Sequence, residues 1–281
     1  MRTVEITPDN LPAFKNYLYP DMYERLQGGH TALGIGLAEK NFACGAVAGT
    51  FLKGGREFSI GSLYVDESLR MYGGGEMLLR ELCGRLSGKV RRAFVSYSVS
   101  GGAERAMKSL LMKNGFEAPE KVSDIFYVKG TSIKGTALFP TEQKPRDKNI
   151  VQLFSLDDKT LGALNGDDAI PDYLDYKVDE DEADRDGSLA YMKNGRVAAY
   201  VIFKPVGDKT LMLTAAYTEK GSRGLFLRLI PECVRALAAK YGEDTVCVIS
   251  ALDSRVALLI EKLSEGRLET RLTEFRSERI F

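Results

Sequence analysis

The sequence lacks a net charge, with lysine plus arginine and aspartate plus glutamate at 39 each. No overall field therefore draws it to nucleic acid or to an anionic membrane. It also lacks any uninterrupted apolar run near the ~20 residues that span a bilayer. Its opening, MRTVEITPDNLPAF, alternates apolar with polar residues and then breaks at a proline, so it has no signal-peptide core. Cysteine is sparse: Cys44, Cys83, Cys233 and Cys247 stand far apart and form neither a CxxC pair nor a dense disulfide framework. A reduced, cytoplasmic setting is expected. The sole histidine, His30, is far in sequence from the glycine cluster at 73–75 and reads as incidental rather than catalytic. These absences point to a soluble protein with no nucleic-acid partner, no membrane partner and no metal.

What is present is an ordinary globular composition, 44% hydrophobic and 28% charged. The 281 residues are long for one domain and comfortable for two of about 140. Val4 and Ile6 alternate as a short strand, and capping residues from Thr7 to Asn10 precede an amphipathic stretch from Leu11 to Leu26. Thr31 to Phe51 reads as a hairpin turning at Glu39-Lys40-Asn41. After a second turn at Lys53-Gly54-Gly55-Arg56, the run EFSIGSLYV is a third strand ending at Val65. A helix from Glu76 to Leu86, the strand AFVSYSV, a helix from Glu104 to Asn114 closed by Gly115, and the strand DIFYVKG follow.

The stretch 131–149 is rich in glycine, proline, lysine and threonine and is expected to be a linker between domains at 1–130 and 150–281. Beyond it the order of elements returns. A strand at Ile150 to Phe154, a helix near Leu161, the hairpin SLAYMKNGRVAAYVIF and the strand TLMLTAAY precede a long helix from Gly224 to Tyr241. The strand TVCVIS, a helix from Ser254 to Ser264 and a strand around Thr270 to Phe275 close the chain. Two copies of one unit is the economical reading.

The most informative segment is SLYVDESLRMYGGGEMLLREL, in which a strand ends at Val65 and a helix starts after Gly75. A glycine cluster alone could be only a flexible turn. Here it follows a strand, hairpin and strand, and Val65, Arg70, Gly73 and Gly75 match, position for position, the acyl-CoA signature of the GNAT superfamily of N-acyltransferases. The domain also continues to a typical MKNGF ending. The sequence over residues 1 to 130 therefore resembles that superfamily. Dinucleotide binding is disfavoured, because no βαβ unit with GxGxxG surrounds the loop.

The resemblance implies an α/β (α+β) fold: two GNAT-like domains, each a mixed, mostly antiparallel sheet flanked by helices, the C-terminal copy degenerate. It further implies that the pyrophosphate of acetyl-CoA, or coenzyme A, sits on the helix start, where unpaired N–H groups and the helix dipole favour an anion. The expected binding residues are Arg70, Met71, Tyr72, Gly73, Gly74, Gly75 and Glu76. Main-chain groups of Leu63, Tyr64 and Val65 are expected to hold pantetheine where this strand splays from the one at Phe94 to Val99.

For catalysis, the position of the usual general-acid tyrosine is Leu111, and that of a frequent glutamate base is Ser59. Tyr97 is a candidate substitute acid, against the alternative of a structural tyrosine. Glu57, on the same strand face as Ser59, is a candidate base, against the alternative of a solvated strand-end carboxylate.

In the second half, LTAAYTEKGSRGLFLRLIPECV keeps Gly221 and Gly224 without the signature. Lys220, Ser222 and Arg223 could meet an anion, but an ordinary polar loop is the simpler reading. A wall of the acceptor site or a homodimer contact is the role expected of this half. Asp157 to Asp186 carries twelve acidic residues against three basic ones, which would suit a cationic acceptor if it bordered the cleft and is otherwise a solvated loop. Two functions follow: acyl transfer from coenzyme A to a small-molecule amine, or a non-catalytic acyl-CoA-binding or sensing module.

Overall fold

The computed structural model describes residues 1–29, 31–100, 103–142, 147–165, 182–219, 221–252 and 254–281. His30, Lys220 and most of the acidic stretch singled out above lie outside the described residues.

In chain order the elements are β1 (Arg2–Glu5), α1 (Pro20–Gly28), β2 (Ala32–Glu39), β3 (Phe42–Leu52), β4 (Glu57–Val65), α2 (Gly74–Leu86), β5 (Arg92–Val99), α3 (Ala103–Lys113), β6 (Glu120–Lys129) and α4 (Gly130–Ile133). Then come β7 (Ile150–Gln152), α5 (Asp158–Asn165), β8 (Leu189–Lys193), β9 (Arg196–Gly207), β10 (Thr210–Thr218), α6 (Phe226–Tyr241), β11 (Val246–Ala251), α7 (Ser254–Leu263) and β12 (Thr270–Ile280). The amphipathic stretch at Leu11 to Leu26 is not one helix. It is a 3-10 turn over Leu11–Tyr17 and then α1, broken where Leu18 and Tyr19 are extended before Pro20. Proline disfavours helical geometry in the residue before it and ends the first segment there.

The chain folds as two compact units, one of residues 1–122 with 273–281 and the other of residues 123–272. Within the first, the strand order is β1-β2-β3-β4-β5-β12; within the second it is β7-β8-β9-β10-β11-β6. The pairings correspond step for step. In each unit three antiparallel pairs lead to one parallel pair, β4 with β5 and β10 with β11, followed by an antiparallel last strand. The repeat read from the sequence is therefore a repeat of topology in which the two halves exchange their last strands.

In the first unit, α2 and α3 cover one face of the sheet over a core that includes Leu37, Phe58, Ile60, Val65, Leu78, Leu82, Val95 and Leu111. The 3-10 turn and α1 cover the other face through Leu11, Phe14, Met22 and Leu26. In the second unit, α6 and α7 pack on the sheet through Leu229, Cys233, Leu237, Ala257 and Ile260. All four cysteines are free thiols. Among the described residues, no helix is long and apolar enough to cross a membrane.

Candidate functional site

The first unit's sheet opens where β4 leaves β5. Their parallel pairing runs from Glu57↔Arg92 to Ile60↔Val95 and stops. Beyond that point β4 continues against β3 as far as Val65, and β5 continues against β12 as far as Val99. The cause is local. Gly49 pairs with Ile60 and Ala48 with Ser62, so Gly61 is an extra residue, a β-bulge that bends the strand. The bulge also reverses the alternation of side chains. Phe58 and Ile60 face the α2 side before it, and Leu63 and Val65 face that side after it.

At the end of β4 the chain makes a 3-10 turn over Glu67–Tyr72, capped by Asp66, whose Oδ1 accepts from the Ser68 N–H at 3.0 Å. Gly73 then adopts φ +81°, left-handed backbone that glycine enters without steric cost. Its carbonyl accepts from the Met77 N–H at 3.0 Å, which leaves the amides of Gly74, Gly75 and Glu76 without an intrahelical acceptor. At the other two glycines an added Cβ would meet close neighbours. A Cβ on Gly74 would lie 2.8 Å from Leu37 Cδ2 and 3.1 Å from Val65 Cγ1, and one on Gly75 would lie 3.2 Å from Leu110 Cδ2. The start of α2 can therefore approach the end of β4 closely.

Arg70 is folded back over this turn. Its Nε donates to the Val65 carbonyl at 3.0 Å, its Nη1 pairs with Glu67 at 3.2 Å, and its guanidinium lies 5.3 Å from the centre of the Tyr64 ring. It braces the loop. Tyr64 also meets Tyr17, with ring centroids 6.0 Å apart, and Tyr72 is largely exposed.

Tyr97 stands on β5 just past the last pair with β4, and its ring packs against the α2-side core. Its hydroxyl is buried without a hydrogen-bond partner. Burial, and then the negative charge of Glu104, push its pKa above the usual tyrosine value, so it stays protonated. A buried hydroxyl with no partner is uncommon in a folded protein and marks a place where a ligand could supply the missing bond.

The structure does not bring Glu57 to this place. It begins β4, roughly 25 Å of extended chain from Val65, and the bulge puts it on the opposite face from Leu63 and Val65. Its Oε1 accepts from Arg92 Nη2 at 2.6 Å and from Lys53 at 3.3 Å. The hydrogen bond from Arg92 holds its carboxyl below the usual range. A carboxylate so held is a weak base, and its visible work is to fasten the closed end of the β4–β5 pair. Leu111 is wholly buried in the core.

The second unit keeps part of this geometry. The parallel pairing of β10 with β11 also stops after four pairs, at Leu213↔Ile249, and Thr214 occupies the bulge. Its helix start differs, because Leu225 and Phe226 stand there and pack against the core. A cavity of about 510 Å³ beside it is lined by Asn149, Tyr191, Lys193, Ser222 and Arg228 among others. Its cations are engaged: Lys193 with Glu219 at 3.4 Å and Arg228 with Asp147 at 3.3 Å. Ser222 likewise donates to Glu219 at 2.8 Å.

No family model matches the sequence, and no curated protein matches it. Solved structures do match its fold. A tandem GNAT protein from the clavulanic acid biosynthesis pathway has TM-score 0.61 at 10% identity, over 99% of this chain and 98% of that one. A GCN5-related N-acetyltransferase from Sphaerobacter thermophilus has TM-score 0.60 at 14% identity, over 99% and 95%. A GNAT-family acetyltransferase from Colwellia psychrerythraea has TM-score 0.51 at 14% identity, over 98% and 99%. The chain has the tandem GNAT fold, as its sequence led one to expect.

Proposed function

We propose that the first unit binds an acyl-CoA and transfers the acyl group to an amine by direct attack, acetyl being the group and a small molecule the acceptor. The observation that carries this reading is the coincidence of parted strands with a glycine-opened helix start. The parting gives an extended pantetheine arm unpaired backbone to lie along, and the amides of Gly74, Gly75 and Glu76 give a pyrophosphate its donors. Matched structures named as acetyltransferases support acetyl as the group.

In this mechanism the amine nitrogen attacks the thioester carbonyl carbon, and a main-chain amide at the end of β4 stabilises the oxyanion. The carbon–sulfur bond then breaks. Tyr97 gives its proton to the departing sulfur and recovers one from water, which takes up the proton released by the amine. The products are an amide and the free thiol of coenzyme A. No protein base is assigned to this reaction, because Glu57 is committed to Arg92.

The second unit is not the cofactor site in this reading, since apolar side chains occupy its helix start and its cations are paired. The buried Leu111 supports a competing reading, a non-catalytic acyl-CoA-binding module. Incubating the protein with acetyl-CoA and a panel of amines, with thiol release as readout, separates the two. Turnover supports transfer, binding without turnover supports the module, and the absence of binding refutes both.

A further inference from the structure

The geometry points to Phe275, on the last strand of the chain, as a positioning residue that holds the ring of Tyr97 so that its hydroxyl faces the reacting thioester. This rests on the reading of the first unit as an acyl-transfer site. Because the Tyr97 hydroxyl has no hydrogen-bond partner, no polar contact fixes its direction. What remains to orient it is the packing of its ring, which otherwise turns about two side-chain bonds.

Beside the α2-side core, Phe275 supplies that packing. β12 pairs with β5 in a register that sets Phe275 directly opposite Tyr97, and the two rings stack with centroids 5.7 Å apart and planes 22° from parallel. Phe275 is itself buried, 7% exposed, so its ring has little freedom. The strand that carries it is pinned on both sides. Glu278 pairs with Arg92 at 3.1 Å, Ser277 Oγ donates to the Glu117 carbonyl at 2.6 Å, and the Arg279 guanidinium donates to the Asn114 carbonyl. The N-terminal half of the sequence thus supplies the acid, and the C-terminal half supplies the group that aims it.

A kinetic double-mutant cycle on the full chain tests this, with acetyl-CoA as donor and hydroxylamine as a small acceptor that needs no dedicated pocket. Tyr97→Phe should lower kcat by about 100-fold or more through loss of the proton donor. Phe275→Leu should lower kcat by about 5- to 10-fold through misalignment, with KM for acetyl-CoA within about 2-fold of wild type. In the Tyr97→Phe background, Phe275→Leu should add nothing, since there is no hydroxyl left to aim. Phe275→Tyr, which keeps a flat ring, should restore most of the rate, and circular dichroism reports on folding.

Equal losses from Phe275→Leu in both backgrounds, or a loss confined to KM, would show a merely structural role and overturn the inference. If Tyr97→Phe slows the wild-type reaction and Phe275→Leu does not, only this inference fails. If the wild type does not accelerate the reaction at all, the acyl-transfer reading fails and the inference falls with it.

Discussion

Replacing Gly73 and Gly75 together by valine should abolish tight coenzyme A binding while leaving the fold in place. Gly73 sits at φ +81° with open space where a Cβ would go, so the cost there is backbone strain of about 1–2 kcal/mol. At Gly75 a Cβ would come within 3.2 Å of Leu110 Cδ2, the end of a side chain that can yield. The sum is below the roughly 5–15 kcal/mol by which domains are stable. Binding loses more. Valine branches over the helix start and a reoriented turn would cost at least two amide bonds to phosphate, each worth about 1.5–3 kcal/mol when the acceptor is charged. That corresponds to a Kd weakened by ~100-fold or more. The same change at Gly221, φ +88°, and Gly224 imposes similar strain in the second unit and should leave affinity within about 2-fold. Calorimetric titration of both double variants with acetyl-CoA, with circular dichroism alongside, gives the answer. Tight binding kept by the first variant, or lost by the second, refutes the assignment of the site.

Glu57→Gln should leave acyl transfer within about 3-fold of wild type, since Arg92 and Lys53 hold its carboxylate at the far end of β4; a loss of about 100-fold would make it the base. Its stabilising bond to Arg92 is present above the usual carboxylate pKa and is lost as pH falls through the lowered folded value, so unfolding of the wild type but not of the variant should show this acid dependence. Deleting residues 273–281 removes β12 from the first unit and leaves β5 as an open edge. Acetyl-CoA binding should disappear although the glycine loop is intact, and retention of full affinity by the truncated chain would contradict the strand exchange. In the second unit, Asp184 is buried and accepts from Lys240 at 2.7 Å, Tyr241 at 2.6 Å and the Gly187 N–H at 2.7 Å. Burial pushes its carboxyl up, and those bonds more than reverse the effect. Asp184→Asn should cost about 3 kcal/mol in chemical denaturation near neutral pH, and the difference from wild type should shrink as pH falls through the carboxylate range.

The sequence by itself determined the order of elements, the internal repeat and the glycine loop at 73–75, because each rests on local chemistry. Alternating apolar residues, helical spacing, turn residues and a glycine at positive φ act over a few neighbours and are written in those neighbours. The tertiary structure decided what depends on distant partners. Glu57 reads either as a candidate base or as a solvated strand-end carboxylate until Arg92 is set beside it, and Leu111 only as the place of a missing tyrosine until the core closes around it. Strict period-two alternation along β4 fails at Gly61, since a bulge is defined by the strand opposite. Leu11 to Leu26 reads as one amphipathic stretch, but Pro20 splits it. Above all, β12 finds its place beside β5 rather than in its own half, because a strand's hydrogen-bonding edge carries no address in its sequence. Pairing is settled only when all edges are present and the arrangement that buries residues such as Phe275 against Tyr97 is available.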